Sequence, residues 1–156
     1  MTIRIESVST NPGLAALVAQ WRLDVFPQAT RGYTLASLTA LILVPPAGPA
    51  DTFVLFEDDQ PVATAGLAGT DLASRPDLTP WLAGVIVLPA FQGRGHAATL
   101  VGRVEDVARQ AGVTVLWLYT TRAEGVYLRL GWETVGPEQD DGRPVVLMRR
   151  SLTSAR

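Results

Sequence analysis

The stretch with the clearest chemistry runs Val85-Ile86-Val87-Leu88-Pro89-Ala90-Phe91-Gln92-Gly93-Arg94-Gly95-His96-Ala97-Ala98. An apolar run gives way to a short loop, two glycines follow, and helical periodicity begins. Glycine has no Cβ to keep a ligand away from the main chain. The first turn of a helix carries unpaired N–H groups and about half a positive charge. Strand, loop, glycines and helix start, in that order, make a receptor for a phosphate or pyrophosphate. The amides of Gly93 to Ala98 would do the holding, with Arg94 as an added cation. The bland alternative is a glycine turn that only joins strand to helix, and the strength of the following helix counts against it. His96, the only histidine, stands at the helix start, where an imidazolium is disfavoured, and is read as structural.

What the chain lacks narrows the chemistry further. There is no cysteine, which removes disulfides, zinc-thiolate sites and a covalent thiol intermediate. All thirteen basic residues are arginines, which removes a Walker-type lysine on the phosphates and any lysine Schiff base. Net charge is −2 and the isoelectric point is near 5.3. With basic residues dispersed along the chain, a general nucleic-acid binder is not expected.

The elements that must position this loop follow from periodicity. Ile3 and Ile5 alternate with Arg4 and Glu6 as a first strand. Asn11-Pro12-Gly13 turns into a helix with apolar positions Leu14, Leu17, Val18, Trp21 and Val25. A second helix is expected over Thr34–Leu43, stopped by Pro45-Pro46. Asp51–Phe56 and Pro61–Ala68 read as a hairpin across Glu57–Pro61, and Gly69–Thr79 as a polar excursion. Trp81–Leu88 is a strand apolar everywhere except Gly84, so both faces should be covered. From Ala97, the set Leu100, Val101, Val104, Val107, Ala108 and Ala111 repeats at helical spacing up to Gly112. Val113–Tyr119 is a further strand and Ala123–Leu130 a short helix. Trp132–Val135 and Pro144–Met148 pair across Asp140-Asp141-Gly142. One domain over residues 1–156 of the α/β (α+β) class accounts for the whole chain.

Two blocks together carry a family resemblance. Gln92-Gly93-Arg94-Gly95-His96-Ala97 resembles the (Gln/Arg)-x-x-Gly-x-(Gly/Ala) signature of the GNAT N-acetyltransferase superfamily, and Val85-x-Val87-x-Pro89 its Val-x-Val-x-Pro. Thr121-Arg122-Ala123, followed by Tyr127 and Gly131-Trp132, is similar to its Asn-x-Ala-(three residues)-Tyr-(three residues)-Gly-Phe block. The resemblance implies a GNAT-like fold: a central mixed, mostly antiparallel sheet with helices on both faces and a parallel strand-helix-strand site for acetyl-CoA. It also implies that strands Trp81–Leu88 and Val113–Tyr119 splay apart to admit a pantetheine arm. Backbone groups of Val85, Ile86 and Val87 would then pair with that arm, and the Val87 amide would polarise the thioester carbonyl. Tyr127 would be the general acid, and Thr121 stands where asparagine often contacts the pantetheine. No metal is implied.

The implied reaction is direct transfer of an acetyl group to a small-molecule, peptide or protein amine. The general base is open. The position of a familial glutamate is Trp81 here, leaving Glu57, Asp71, Asp77 or a water relay. Trp81, following Pro80, is the favoured aromatic for the acceptor pocket over Phe26 and over Trp21, which lies on a core stripe. Two other functions fit part of the pattern. One is a non-catalytic acyl-CoA sensor. The other is a nicotinamide-binding enzyme, since Gly93-x-Gly95-x-x-Ala98 meets that fingerprint. Against the latter, five residues separate the loop from its strand, and no acidic residue ends the next strand. The longest apolar run near Leu41–Val44 is far short of the ~20 residues a membrane span needs, and the N-terminus lacks a signal-like core. A cytoplasmic protein is expected, with edge strands near the C-terminus that leave room for a homodimer.

Overall fold

The structure, a computed structural model, describes residues 1–44 and 48–153. Seven strands form one sheet: β1 (Ile3–Ser7), β2 (Asp51–Glu57), β3 (Gln60–Ala68), β4 (Trp81–Val87), β5 (Val115–Thr120), β6 (Glu133–Asp140) and β7 (Arg143–Ser151). Their order is β1-β2-β3-β4-β5-β7-β6. Every neighbouring pair is antiparallel except β4–β5. Helices α1 (Ala15–Val25), α2 (Leu35–Leu43), α3 (His96–Gln110) and α4 (Glu124–Arg129) complete the fold. The mixed sheet and its single parallel pair are the architecture expected from the sequence. Among the described residues no helix is long and apolar enough to cross a membrane.

Both faces of the sheet are covered because its central strands are apolar on both sides. In β2, Phe53 and Leu55 pack beneath Leu100, Val101, Val104 and Ala108 of α3. The alternate residues Val54 and Phe56 face Val18 and Trp21 of α1, as period-two strand geometry requires. In α1 the buried stripe is Ala15, Val18, Ala19 and Trp21, while Val25 is exposed, so the apolar run expected there ends one turn early. A capping box of Thr34 and Ser37 starts α2. The prolines read as its stop lie outside the described residues.

The β2–β3 hairpin is tighter than its sequence suggests. Only Asp58 and Asp59 form the turn, with φ of 49° and 68°, a left-handed pair that short acidic side chains tolerate. Glu57 therefore belongs to the strand and is not a turn residue.

Candidate active site

The site begins where β4 and β5 part. Their only register pair is Trp81 with Trp117, so beyond it β4 has no partner on that side. The cause sits at Gly84, the one interruption in the apolar strand. Its φ is +63°, and the β3–β4 register slips between Thr64 and Gly66, so that a bulge turns β4 away from β5. After the bulge, Leu88 N donates to Val62 O at 2.9 Å. By alternation Val87 then turns its N–H and C=O away from β3, toward the gap. The Gln92 amide closes on that carbonyl, its Nε2 donating to Val87 O at 3.1 Å.

A short 3-10 turn, Pro89–Phe91, leads into the glycine loop. Gly93 and Gly95 take φ of +78° and +81°, and a Cβ at either would meet no protein atom within 4 Å. The main chain is thus bare on its outer side. Gly95 is the N-cap of α3, no side chain caps that helix, and no acidic residue sits in its first turn. The amides from Gly93 to Ala98 are left for an external anion.

Glu57 explains how the loop is held. Its carboxylate is 6% exposed and receives Arg94 Nη1 at 2.6 Å and His96 Nε2 at 3.1 Å. The Arg94 hydrogen bond, with His96 behind it, keeps the Glu57 carboxyl below its ordinary value. His96 is 3% exposed: its ring turns inward while its backbone opens the helix. Reading Glu57 as a solvated turn residue or a candidate base is therefore corrected. It lies under the loop, engaged by two neighbours.

Past the loop, α3 returns the chain to β5. Thr120 Oγ1 accepts a hydrogen bond from Ala123 N at 3.0 Å, fixing the turn into α4. That turn brings Thr121, Arg122, Ala123 and Tyr127 to the wall of one large cleft, across from Gly84 and Val85. The Tyr127 ring meets Trp132 edge-on, with centroids 6.1 Å apart. Burial pushes its phenol up to about 12, so it stays protonated at any working pH.

The cleft encloses about 1700 Å³, more than one drug-sized ligand occupies, so it has space for two reactants. Its far wall comes from α1, α2 and the Gly69–Pro80 loop: Arg22, Phe26, Tyr33, Leu38, Asp71 and Leu72 among others. Leu72 is 2% exposed and roots that loop against Trp81, Val145 and Leu147. Arg75 ties it to Asp77 and Glu138, and Ser74 Oγ donates to Gln139 O at 2.8 Å. Asp71 stands on the cleft wall and is exposed to solvent there. Desolvation by the protein around it still raises its carboxyl to about 7, with Asp140 adding to the rise and Arg22 opposing it. Asp77 is held below its usual value by Arg75.

Trp81 is corrected. It is 0% exposed, its Nε1 donates to Leu78 O at 2.8 Å, and its ring stands edge-on to Tyr119. It supports the cleft floor from within and does not line an acceptor pocket, whereas Phe26 does line the cleft. Trp21 is core, packed with Val54, Phe56 and Ile86. Arg22 in this wall had gone unnoticed in the sequence, and Gly84 had been read only as the one break in an apolar strand. The signal for Arg22 was available: it continues the stripe Ala15, Val18, Ala19 at helical spacing, a charge placed on a core face.

Among known proteins, the profile of the acetyltransferase (GNAT) family matches residues 16–132, well over half of the chain. The chain belongs to that family. No curated protein matches it in sequence. Of solved structures, an aminoglycoside 6'-N-acetyltransferase complexed with coenzyme A superposes with a TM-score of 0.78 at 14% identity, covering 100% of this chain and 99% of that one. The yncA protein of Salmonella typhimurium, solved with its cofactor acetyl-CoA, gives 0.71 at 18% identity over 99% and 96%. A GNAT acetyltransferase from Streptococcus pneumoniae gives 0.70 at 15% over 96% and 99%. At these identities the likeness is one of fold. Family and fold agree on a GNAT acetyltransferase, and the nicotinamide reading falls with them. Among the described residues no cluster able to hold a metal ion is found.

Proposed function

We propose that this GNAT enzyme transfers the acetyl group of acetyl-CoA directly to an amine. The observation that carries the reading is the uncapped, glycine-bared start of α3 lying beside the parting of β4 and β5. Gly93, Arg94, Gly95, His96, Ala97 and Ala98 offer amides to the diphosphate, and Arg94 adds charge. Val85 and Val87 present the open edge of β4 to the pantetheine, while Ile86, expected to share in this, turns its N–H and C=O to Thr64 of β3. Gln92 fixes the Val87 carbonyl and Thr121 stands on the opposite wall. Solved relatives of the same fold hold coenzyme A or acetyl-CoA, which supports the assignment. A cytoplasmic location, where acetyl-CoA is made, goes with it.

With no cysteine to carry the acetyl group, the amine attacks the thioester carbonyl itself. The new C–N bond forms as the C–S bond breaks, and the Val87 N–H faces the carbonyl oxygen where negative charge gathers. An ammonium acceptor loses two protons in all. One leaves before attack to Asp71, directly or through water, and passes to solvent. The other, lost after attack, balances the proton that Tyr127 gives to the departing thiolate. Desolvation weakens Tyr127 as an acid, yet the same dry wall also disfavours the thiolate, so transfer between them stays feasible.

Turnover is read by releasing coenzyme A in the presence of an amine panel. Because the chain has no cysteine, a thiol reagent reports free coenzyme A alone. Tight acetyl-CoA binding with no release on any amine would convert the protein to a sensor.

Two further outcomes follow. Asp71, raised to about 7, is an acid below that pH and a base above it. The pH profile of kcat/KM should therefore fall on the acid side with an inflection near 7. In Asp71→Asn that inflection should vanish, leaving the amine's own titration, with kcat/KM down about 100-fold. A wild-type profile with no inflection near 7 rejects the base. Glu57 acts through Arg94 and His96, so Glu57→Gln should raise KM for acetyl-CoA about 10-fold with kcat nearly unchanged. An equal loss in kcat would place it elsewhere.

A further inference from the structure

One cation on the cleft floor has a buried nitrogen and, among the described residues, no protein partner; Arg122 on the opposite wall is also unpaired but stands exposed. Arg22 projects from α1 onto the floor of the sheet, where glycines at 66 and 84 make its bed: a Cβ on Gly84 would lie 3.3 Å from Arg22 Nε, and one on Gly66 3.5 Å from Nη2. Among the described residues Arg22 makes no ion pair, and its Nε is buried without a hydrogen-bond acceptor. Asp71, the nearest carboxylate in electrostatic reach, does not close on it. Arg143 lines the same cleft, but its Nη2 is taken by Asp140 at 2.8 Å. An arginine keeps its charge even when desolvated, and a buried, unpaired cation is costly. The fold nevertheless reserves two side-chain-free positions for it.

Placement says what the missing partner is. Gly84 directly precedes Val85, so the guanidinium lies next to the stretch assigned to the thioester arm. An anion bound there must sit within a few bonds of the attacking nitrogen. Across the gap stands Asp71, suited to the amine. A group with a cation and an anion that close together is the head of an α-amino acid. Long diamines and amino sugars do not place an anion there, and neither does a peptide N-terminus, whose α-carbonyl is neutral. Beyond the head, Phe26, Tyr33, Leu38, Leu41 and Ile42 form an apolar wall.

We propose that Arg22 binds the acceptor's carboxylate and that the acceptor is a free α-amino acid with an apolar side chain. The inference rests on the acetyl-transfer reading above and deepens it. Arg22 is a specificity residue, paired with the substrate through charge-assisted hydrogen bonds.

The test compares leucine, methionine and phenylalanine with their carboxamides, alongside putrescine and an amino sugar, by coenzyme A release at fixed acetyl-CoA. The free acids should exceed their carboxamides in kcat/KM by about 100-fold, because the amide leaves the guanidinium unpaired. In Arg22→Gln that ratio should collapse toward unity while KM for acetyl-CoA stays within about twofold. Arg22→Lys, which keeps the charge but not the fork, should retain part of the preference. If Arg22→Gln does not fold, the acid-to-amide ratio of the wild-type protein still decides. Carboxamides, diamines or amino sugars turned over as well as the free acids would overturn the proposal while leaving acetyl transfer intact. A rise in KM for acetyl-CoA in Arg22→Gln would assign the guanidinium to the donor and overturn it as well. No turnover with any of them despite acetyl-CoA binding sinks this inference and leaves catalysis to be decided by the wider amine panel, and failure to bind acetyl-CoA sinks the reading beneath them.

Discussion

Tyr127→Phe is expected to lower kcat about 100-fold and to leave KM for acetyl-CoA nearly unchanged, the signature of a proton supplied only in the transition state. The substitution removes one oxygen from a ring that packs edge-on against Trp132. None of the side-chain hydrogen bonds found among the described residues uses that hydroxyl, so the fold has little to lose. Since the phenol titrates only near 12, the wild-type profile should show no alkaline decline from Tyr127 below that pH. Stopped-flow release of coenzyme A at saturating acceptor measures the step. A Phe variant within about twofold of wild type would leave the thiolate to be protonated by solvent and would remove Tyr127 from the mechanism.

The second large effect concerns the loop. Gly95→Val forces a β-branched residue into φ of +81° and points its Cβ into the space left for the diphosphate. The backbone strain is on the order of 1–3 kcal/mol, which the domain should survive. Donor binding should not survive, and KM for acetyl-CoA should rise at least about 100-fold as contacts to several amides are lost. Gly95→Ala, with a smaller intrusion, should fall between. Circular dichroism and thermal melting of both variants separate lost binding from lost fold. Near-normal KM in a folded Gly95→Val protein would mean that the amides of this turn do not hold the donor.

The sequence carried the donor side of the site further than the acceptor side, for a physical reason. The donor is held by the main chain at the junction of a strand and a helix, and glycines with periodic apolar residues mark such a junction locally. The acceptor wall is assembled from α1, α2 and the Gly69–Pro80 loop, segments far apart in the chain that meet only after folding. Glu57 shows the difficulty. Its neighbours Asp58 and Asp59 read as a long polar turn, and nothing local shows that two residues suffice to turn the chain, leaving the glutamate beneath Arg94 and His96. Trp81 shows the converse. An aromatic at a strand entrance looks like a pocket wall, but Leu72 folds back over it and seals it in. Arg22 and Gly84 were each visible as breaks in an otherwise apolar pattern. Their meaning appears only when the guanidinium is seen resting on the bulge that parts the two strands.

If the start of α3 and the gap between β4 and β5 together bind acetyl-CoA, thermal unfolding should report it. At a concentration about 100-fold above Kd, a ligand that binds only the native state adds about 2.7 kcal/mol, or roughly 5–10 °C for a domain of this size. Acetyl-CoA and coenzyme A should both raise the melting temperature by that amount, and NAD should leave it where it is. A melting temperature unmoved by acetyl-CoA, or raised equally by NAD, would rule out an acetyl-CoA site between these elements.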